Sequence, residues 1–226
     1  MDIDGKEIFI PTVKEKEQLR NSKYRALSGV QRTLLSTNPN KILKDLQKMT
    51  NDKLKLSSVK VKDKIVGYIV QIETYCTENE DKNYDKGTVR IRNLIKSDQY
   101  SAIAKSADGT NGTVPLGKGN SVIYYDEKNK AKGEGGIVNE DGSKGRPPFI
   151  GLGHEMGHAE NYISTDLKPK QPMEEGVYFD PDTNSPQVFS TDEKVSREKD
   201  NEIREEHLGE KEDGQEVKKR AEIKKR

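Results

Sequence analysis

Residues 146–163 read RPPFIGLGHEMGHAENYI, and this stretch decides the fold because it contains the pentapeptide HExxH at residues 154–158. Two histidines four positions apart lie about one turn apart on the same side of a helix, so both imidazoles can bind one metal ion. A helix is expected to begin after residues 147–148, since proline suits the first helical turn. The stretch therefore predicts a helix that presents His154 and His158 to a metal.

The residues around the pentapeptide favour a metal site over a chance match. At about 100° per residue, the apolar side chains of Leu152, Met156, Ala159 and Ile163 cluster on one side of the helix, and the two histidines fall on the opposite side. One face is thus expected to enter a core while the other lines a cleft. Gly157 weakens a helix by up to about 1 kcal/mol relative to alanine, which suggests that something approaches the backbone closely there.

Glu155 lies beside the histidine face, where its carboxylate can reach a water molecule on the metal. Zinc lowers the pKa of water, and a neighbouring glutamate can take the proton as the water attacks a polarised carbonyl and then pass it to the leaving amine. We therefore expect one Zn²⁺ ion and a zinc-dependent endopeptidase with Glu155 as general base. The alternative is a non-catalytic protein-binding module on a metalloprotease-like fold, although a purely structural metal site has no use for Glu155.

A catalytic zinc ion needs a third protein ligand and an open position. Asn161 and Ser164 stand where the pattern HExxHxxGxxH requires glycine and histidine, so a third histidine close by is excluded. The remaining candidates lie further along the chain. They are the carboxylates of that region, Glu198 among them, and His207.

The rest of the chain contains both helical and strand-like patterns. Further helices are expected over residues 13–35, 41–49 and 191–208, the last of them capped by Ser190 or Thr191. Strands are expected over residues 54–75, 87–94 and 122–125. We expect three regions, namely an N-terminal helical segment (1–52), a catalytic domain (53–208) and a flexible charged tail (209–226).

Charge and hydropathy exclude two kinds of partner. Acidic and basic residues nearly cancel, at a formal net charge of +1, which argues against a general electrostatic attraction to nucleic acid. The longest apolar run, around residues 65–72, is far short of a membrane span, and residues 1–20 are too charged for a signal peptide. We therefore expect neither nucleic-acid binding nor membrane insertion.

Three segments resemble the NleD-like effector zinc metallopeptidases. Residues 146–159 are similar to the active-site segment of that family, and residues 192–196 to its paired-acid segment. Residues 200–207 resemble its element Glu-Asn-x-Ile-Arg-x-Glu, with Asp200 in place of the first glutamate and one extra residue before the element. The resemblance covers about residues 146–209.

The resemblance implies a zincin-like domain of the gluzincin type, in which Glu193 is the third zinc ligand. Helical periodicity places Glu193, Asp200, Arg204 and His207 on one stripe that can face the metal helix. Together with the order of elements, this predicts an α+β fold. We expect N-terminal helices, a small and mainly antiparallel sheet, the HExxH helix, and a charged C-terminal helix and tail.

Four more residues are candidates for transition-state or supporting roles, namely Arg204, His207, Tyr162 and Tyr178. Arg204 can stabilise an oxyanion or pair with an acidic neighbour, and the sequence leaves both open. Either tyrosine can donate a hydrogen bond to the oxyanion, and the sequence does not choose between them.

The first five residues, MDIDG, resemble the sequence that follows the core of Rhs-type polymorphic toxins. This second resemblance implies a toxin domain that leaves its Rhs carrier, often through type VI secretion, and is neutralised by a cognate immunity protein. The expected role is a secreted effector without a signal peptide that cleaves a protein substrate in the cytoplasm of a target cell. A nuclease toxin is disfavoured, because the sequence carries no HNH-like or acidic metal constellation.

Overall fold

The computed structural model describes residues 7–11, 38–61, 63–76, 84–133, 136–163 and 176–225. The helices of these ranges are α1 (Pro39–Lys48), α2 (Asp85–Lys96), α3 (Pro148–Ile163) and α4 (Thr191–Glu206). The strands are β1 (Glu7–Pro11), β2 (Lys53–Val61), β3 (Lys64–Thr74), β4 (Tyr100–Lys105), β5 (Gly112–Gly117), β6 (Asn120–Tyr125), β7 (Gly176–Asp180), β8 (Ser185–Phe189), β9 (Lys211–Glu212), β10 (Gln215–Glu216) and β11 (Lys224–Lys225). The fold is α+β, as expected. The helix predicted over residues 13–35 and the Rhs-like residues 1–5 lie outside the described ranges.

The central sheet has six strands in the order β2-β3-β1-β4-β6-β5. β4 runs parallel to both β1 and β6, whereas the other neighbours are antiparallel, so the sheet is mixed and larger than expected. β1 and β4 lie in the middle, and residues 8–10 and 100–104 are buried, which is typical of strands covered on both faces. Residues 1–52 are therefore not helical throughout, because β1 belongs to this sheet.

Helix α3 carries the HExxH pentapeptide and packs against the sheet. Leu152, Met156 and Ala159 are buried in the main hydrophobic core, and Ile163 packs against its edge, which confirms the predicted apolar face. α4 passes alongside Gly157, but a methyl group added there would lie 3.6 Å from the nearest α4 atoms, which is ordinary contact. In the described residues, no helix is long and apolar enough to span a membrane.

Helix α4 begins as the sequence predicts, because the Ser190 hydroxyl accepts a hydrogen bond from the Glu193 backbone N–H at 3.2 Å. Its buried face is mostly polar and includes Asp192, Ser196, Asp200 and Arg204. This face packs against α3, so the charged helix lies against the core instead of extending into solvent.

The strand predicted over residues 87–94 is wrong, because this segment is part of helix α2. Ile91 and Leu94 are three positions apart and both fully buried, whereas Val89 is half exposed. A window of seven residues fits a period of two and a period of 3.6 about equally well, so the pattern alone could not decide. Packing of α2 against α3 and α4 selects the helix.

The solvated tail predicted from residue 209 onwards is also wrong for the described residues. Val217 is buried in the main core, and Arg220 is only 5% exposed. β11 pairs with β7, and the Asn201 side chain of α4 bonds both backbone groups of Arg220, at 2.8 and 3.2 Å. The high charge of the segment is accommodated by ion pairs, which composition alone does not reveal.

Candidate metal centre

Three side-chain atoms converge between α3 and α4. Nε2 of His154 and Nε2 of His158 lie 3.3 Å apart, and Oε2 of Glu193 lies 3.2 Å from the second and 3.8 Å from the first. Atoms bound to one zinc ion at 2.0–2.1 Å in a tetrahedral arrangement lie about 3.3–3.4 Å apart. The spacing and the donor set therefore fit a metal ion, and this group could hold one.

The orientation of the His158 ring is fixed by Asp192, the residue that precedes Glu193 in the chain. Its Nδ1 lies 2.7 Å from Oδ2 of Asp192, and this oxygen also accepts a hydrogen bond from the Tyr162 hydroxyl at 3.3 Å. The other oxygen of Asp192, Oδ1, accepts a hydrogen bond from the Asn161 side-chain amide at 2.7 Å. A carboxylate on Nδ1 favours the tautomer whose Nε2 lone pair points to the metal position. Burial lowers the pKa of His158, but the bonds from Asp192 and Glu193 outweigh it and raise the pKa to about 10 in the metal-free protein.

His154 has a looser partner. Its Nδ1 lies 3.9 Å from Oδ2 of Asp200, and neither atom has a hydrogen-bond partner among the described residues. Burial lowers the pKa of His154 to about 3, so this imidazole is neutral and ready to bind a cation. Burial would raise the pKa of Asp200, but Arg204, His154 and Arg220 lower it to about 2, so the carboxylate stays charged inside the protein.

The two carboxylate oxygens of Glu193 have different partners. Its Oε1 accepts a hydrogen bond from Nε of Arg197 at 2.8 Å, which leaves Oε2 directed at the histidines. Burial would raise the pKa of this carboxyl, but His158, His154 and Arg197 hold it well below its usual range. Glu193 is thus ionised and oriented, as a metal ligand must be.

Glu155 follows His154 on α3, close enough to His158 and Glu193 to interact with their charges, and it is bonded to β5, an edge strand of the sheet. The Thr113 hydroxyl is 2.9 Å from both the carboxylate Oε2 and the backbone carbonyl of Glu155. The residue is only 6% exposed, and burial raises the pKa of its carboxyl. A carboxylate whose pKa moves towards neutrality is suited to proton transfer.

The buried side chain of Arg146 contacts α3 at Gly151, which lies one turn before Glu155. A methyl group on Gly151 would stand 1.5 Å from Nη1 of Arg146, so the close approach to α3 occurs at Gly151. Nε and Nη1 of Arg146 have no hydrogen-bond partner among the described residues, and burial lowers the pKa of its guanidinium to about 10. The positive charge of Arg146 acts on both Glu155 and Asp200.

The other predicted candidates fall in different places. Tyr162 contacts Asp192, and Arg204 is buried against Asp200 at 2.9 Å, which favours the pairing role over oxyanion binding. His207 stacks on Tyr84 and lies at the far end of α4, so it is not brought to the metal atoms. The remaining two are Tyr178, which packs on Phe189, and Glu198, whose side chain is 64% exposed and pairs with Lys194.

Sequence reasoning missed the residues that orient the ligands. Arg197 is four positions after Glu193, a spacing at which opposite charges pair on a helix, so this contact could have been predicted from the sequence. Asp192 stands out in the sequence only as part of an acidic pair, and its bond to His158 depends on how the two helices pack. Thr113 carried no sequence signal.

Comparison with protein-family models, with curated proteins and with solved structures finds no match to this chain. The resemblance to the NleD-like metallopeptidases and the zincin-like fold therefore stay predictions.

Proposed function

We propose that this chain is a zinc-dependent endopeptidase. The observation that carries the proposal is the convergence of His154, His158 and Glu193 on one point with Glu155 beside it. Two histidines and a glutamate are a common ligand set of catalytic zinc, and a base next to that set is the arrangement that peptide hydrolysis needs.

The chain's own residues supply the positioning and the proton transfers. A bound zinc ion supplies Lewis acidity, which polarises a carbonyl and makes water acidic near neutral pH. Glu155 takes the proton of the attacking water and then donates it to the nitrogen of the leaving amine. Thr113 and burial hold the Glu155 carboxylate in place, while Asp192 and Arg197 fix the orientation of His158 and Glu193.

The position of the sheet edge next to Glu155 is an argument for a polypeptide substrate. β5 is the last strand of the six-stranded sheet, and its Thr113 is bonded to Glu155. An extended peptide can add to such an edge through main-chain hydrogen bonds, which would bring a scissile bond next to the base. Pro115 and the exposed Val114 lie further along this strand and would contact the neighbouring substrate residues.

The biological setting follows from the resemblances. We propose a secreted bacterial effector or toxin that reaches the cytoplasm of a target cell from an Rhs-type carrier and cleaves a protein there, with a cognate immunity protein in the producing cell. Toxicity of the chain when it is expressed without that partner, and its loss in a Glu155→Gln variant, would be the expected outcome.

The biochemical test uses the purified full chain, loaded with one equivalent of Zn²⁺ and added to a bacterial lysate, with new N-termini as the readout. Glu155→Gln should reduce cleavage by roughly 10²–10⁴-fold, while its zinc content stays near one ion per chain. Glu193→Ala should lose zinc, whereas Glu198→Gln, an exposed acid on the same helix, should keep both zinc and activity. Zinc binding without any cleavage by the wild type would favour the protein-binding module instead.

A further inference from the structure

Two arginines share one aspartate behind the candidate metal centre. Asp182, in the turn between β7 and β8, accepts from Nη2 of Arg220 and lies 3.6 Å from Nη2 of Arg197 through the same Oδ2 atom. Its other oxygen accepts a hydrogen bond from the Val138 backbone N–H at 2.7 Å. We call Asp182, Arg197 and Arg220 the arginine bracket.

Each arginine of the bracket also lies next to an acidic residue of the candidate metal centre. Nε of Arg197 donates to Oε1 of Glu193 at 2.8 Å. Nη1 of Arg220 lies 3.6 Å from Oδ2 of Asp200, the same oxygen that faces Nδ1 of His154 at 3.9 Å. The bracket therefore contacts the candidate ligand Glu193 directly, and it lies next to Asp200, which faces the candidate ligand His154.

The bracket is rigid because it is buried and assembled from separate parts of the chain. The side chains of Arg197, Arg220 and Asp182 are 11%, 6% and 7% exposed. Arg197 also donates to Asp180 at 2.9 Å, and the backbone of Arg220 is bonded by Asn201 of α4. A buried charge that loses its partner is strongly unfavourable, so each member restricts the position of the other two.

We propose that the arginine bracket positions Glu193 and His154 for metal binding. Arg220 thereby makes the C-terminal segment (residues 209–225) a working part of the centre, although it supplies no ligand. Arg197 fixes Glu193 directly, and Arg220 holds Asp200 where it can accept the Nδ1 proton of His154. The inference rests on the proposed metal site but not on peptidase activity.

The test measures the zinc affinity of the full chain by competition with a chelator. Asp182→Asn and Arg220→Lys are chosen because each keeps the size and polarity of the side chain, while an ammonium cannot contact Asp182 and Asp200 as the guanidinium fork does. Each should weaken zinc binding by roughly 10-fold or more, within the 10–100-fold range typical of residues that orient ligands. The absorption bands of the Co²⁺-loaded protein should shift in both variants.

Asp141→Asn is the matched control. Asp141 accepts from Lys218 at 2.6 Å and so joins the 137–145 loop to the C-terminal segment, but no hydrogen bond or ion pair within the described residues joins it to the bracket or the metal atoms. It should leave zinc affinity and the Co²⁺ bands unchanged. A loss of affinity in this control equal to that in Asp182→Asn would show that general loosening of the segment is responsible and would overturn the positioning role.

The outcomes separate this inference from the proposed function. Zinc affinities equal to the wild type in both Asp182→Asn and Arg220→Lys would overturn the bracket while leaving the metal centre intact. Weakened affinity in a protein that cleaves nothing would support the bracket and contradict the endopeptidase. A wild-type chain that fails to bind zinc at all would overturn both.

Discussion

Helices α3 and α4 pack against each other and share the candidate metal centre, but different forces hold them. The buried face of α3 is aliphatic, with Leu152, Met156 and Ala159 in the main core. The buried face of α4 is charged, and Asp200 and Arg204 on it have no solvent exposure. Both helices are sixteen residues long, so length does not explain the difference.

The difference corresponds to what each helix contributes. Apolar packing is non-directional and fixes where a helix lies, which is sufficient for two histidines whose relative position is set by helical geometry. Ion pairs and hydrogen bonds are directional and fix the angle of a side chain, which Glu193 needs because it approaches from another element. A metal site built across two helices thus uses packing on one side and charge pairing on the other.

The largest expected effect comes from breaking the charge pairing of α4. Arg204→Met leaves the buried Asp200 carboxylate without its 2.9 Å partner, with Arg220 at 3.6 Å and the charge of Arg146 remaining, and it removes the hydrogen bonds to Asn139 and to the Lys218 carbonyl. Loss of one partner of a buried pair costs about 3–5 kcal/mol. Urea unfolding of the metal-free protein should show this decrease in the free energy of unfolding.

Two reference variants show whether the effect belongs to the buried charges. Lys194→Met removes an exposed pair on the same helix and should change stability by less than about 1 kcal/mol. Leu152→Ala on α3 should cost about 2–5 kcal/mol but leave the zinc affinity of the folded protein near the wild-type value. A stability loss below about 1 kcal/mol in Arg204→Met would contradict the contrast between the two helices.

A zinc ion that binds His158 must displace the proton that this imidazole carries in the metal-free protein. Because the pKa of His158 is raised to about 10, the metal-free protein carries this proton at neutral pH, and zinc requires the unprotonated nitrogen. One proton should be released per zinc ion, so zinc affinity should rise about tenfold per pH unit between about pH 7 and pH 9. Calorimetry in buffers of different ionisation enthalpy measures the proton release directly.

The same shift has an opposite effect on the metal-free fold. A raised pKa means that the charged imidazole stabilises the folded state fully below the unfolded pKa, 6.5, and that this contribution is lost as the pH rises towards 10.

Asp192→Asn removes the strongest stabiliser of the charged form and should flatten the pH dependence of zinc affinity. An unchanged slope in Asp192→Asn would count against the assignment of the proton to His158.

The smallest expected change in stability comes from substitutions of two glycines of α3. Gly157→Ala places a methyl group in ordinary contact with α4 and should stabilise the protein by up to about 1 kcal/mol through helix propensity. Gly151→Ala should destabilise it, because the new methyl group would overlap with the Arg146 guanidinium. Thermal unfolding of both variants gives the sign, and destabilisation by Gly157→Ala would mean that α4 packs more tightly than the structure has it.

The elements that the sequence predicted correctly share a local cause. α3 and the start of α4 follow from short-range features, namely an apolar face with period 3.6 and the Ser190 cap. α2 was missed because Ile91 and Leu94 are buried by contacts with distant helices, which a short window cannot contain. The C-terminal segment was missed because Val217 and Arg220 are buried through pairing with distant partners.

The sequence by itself determined that His154 and His158 face one point with Glu155 beside them, because an i, i+4 spacing on a helix leaves little freedom. It also supplied Glu193 as a candidate through a resemblance, with other acids left open. Only the tertiary structure brought Glu193 to the histidines and assembled Asp192, Asp200 and the arginine bracket around them. These contacts join residues far apart in the chain, and their geometry is set by how α3, α4 and the C-terminal segment pack.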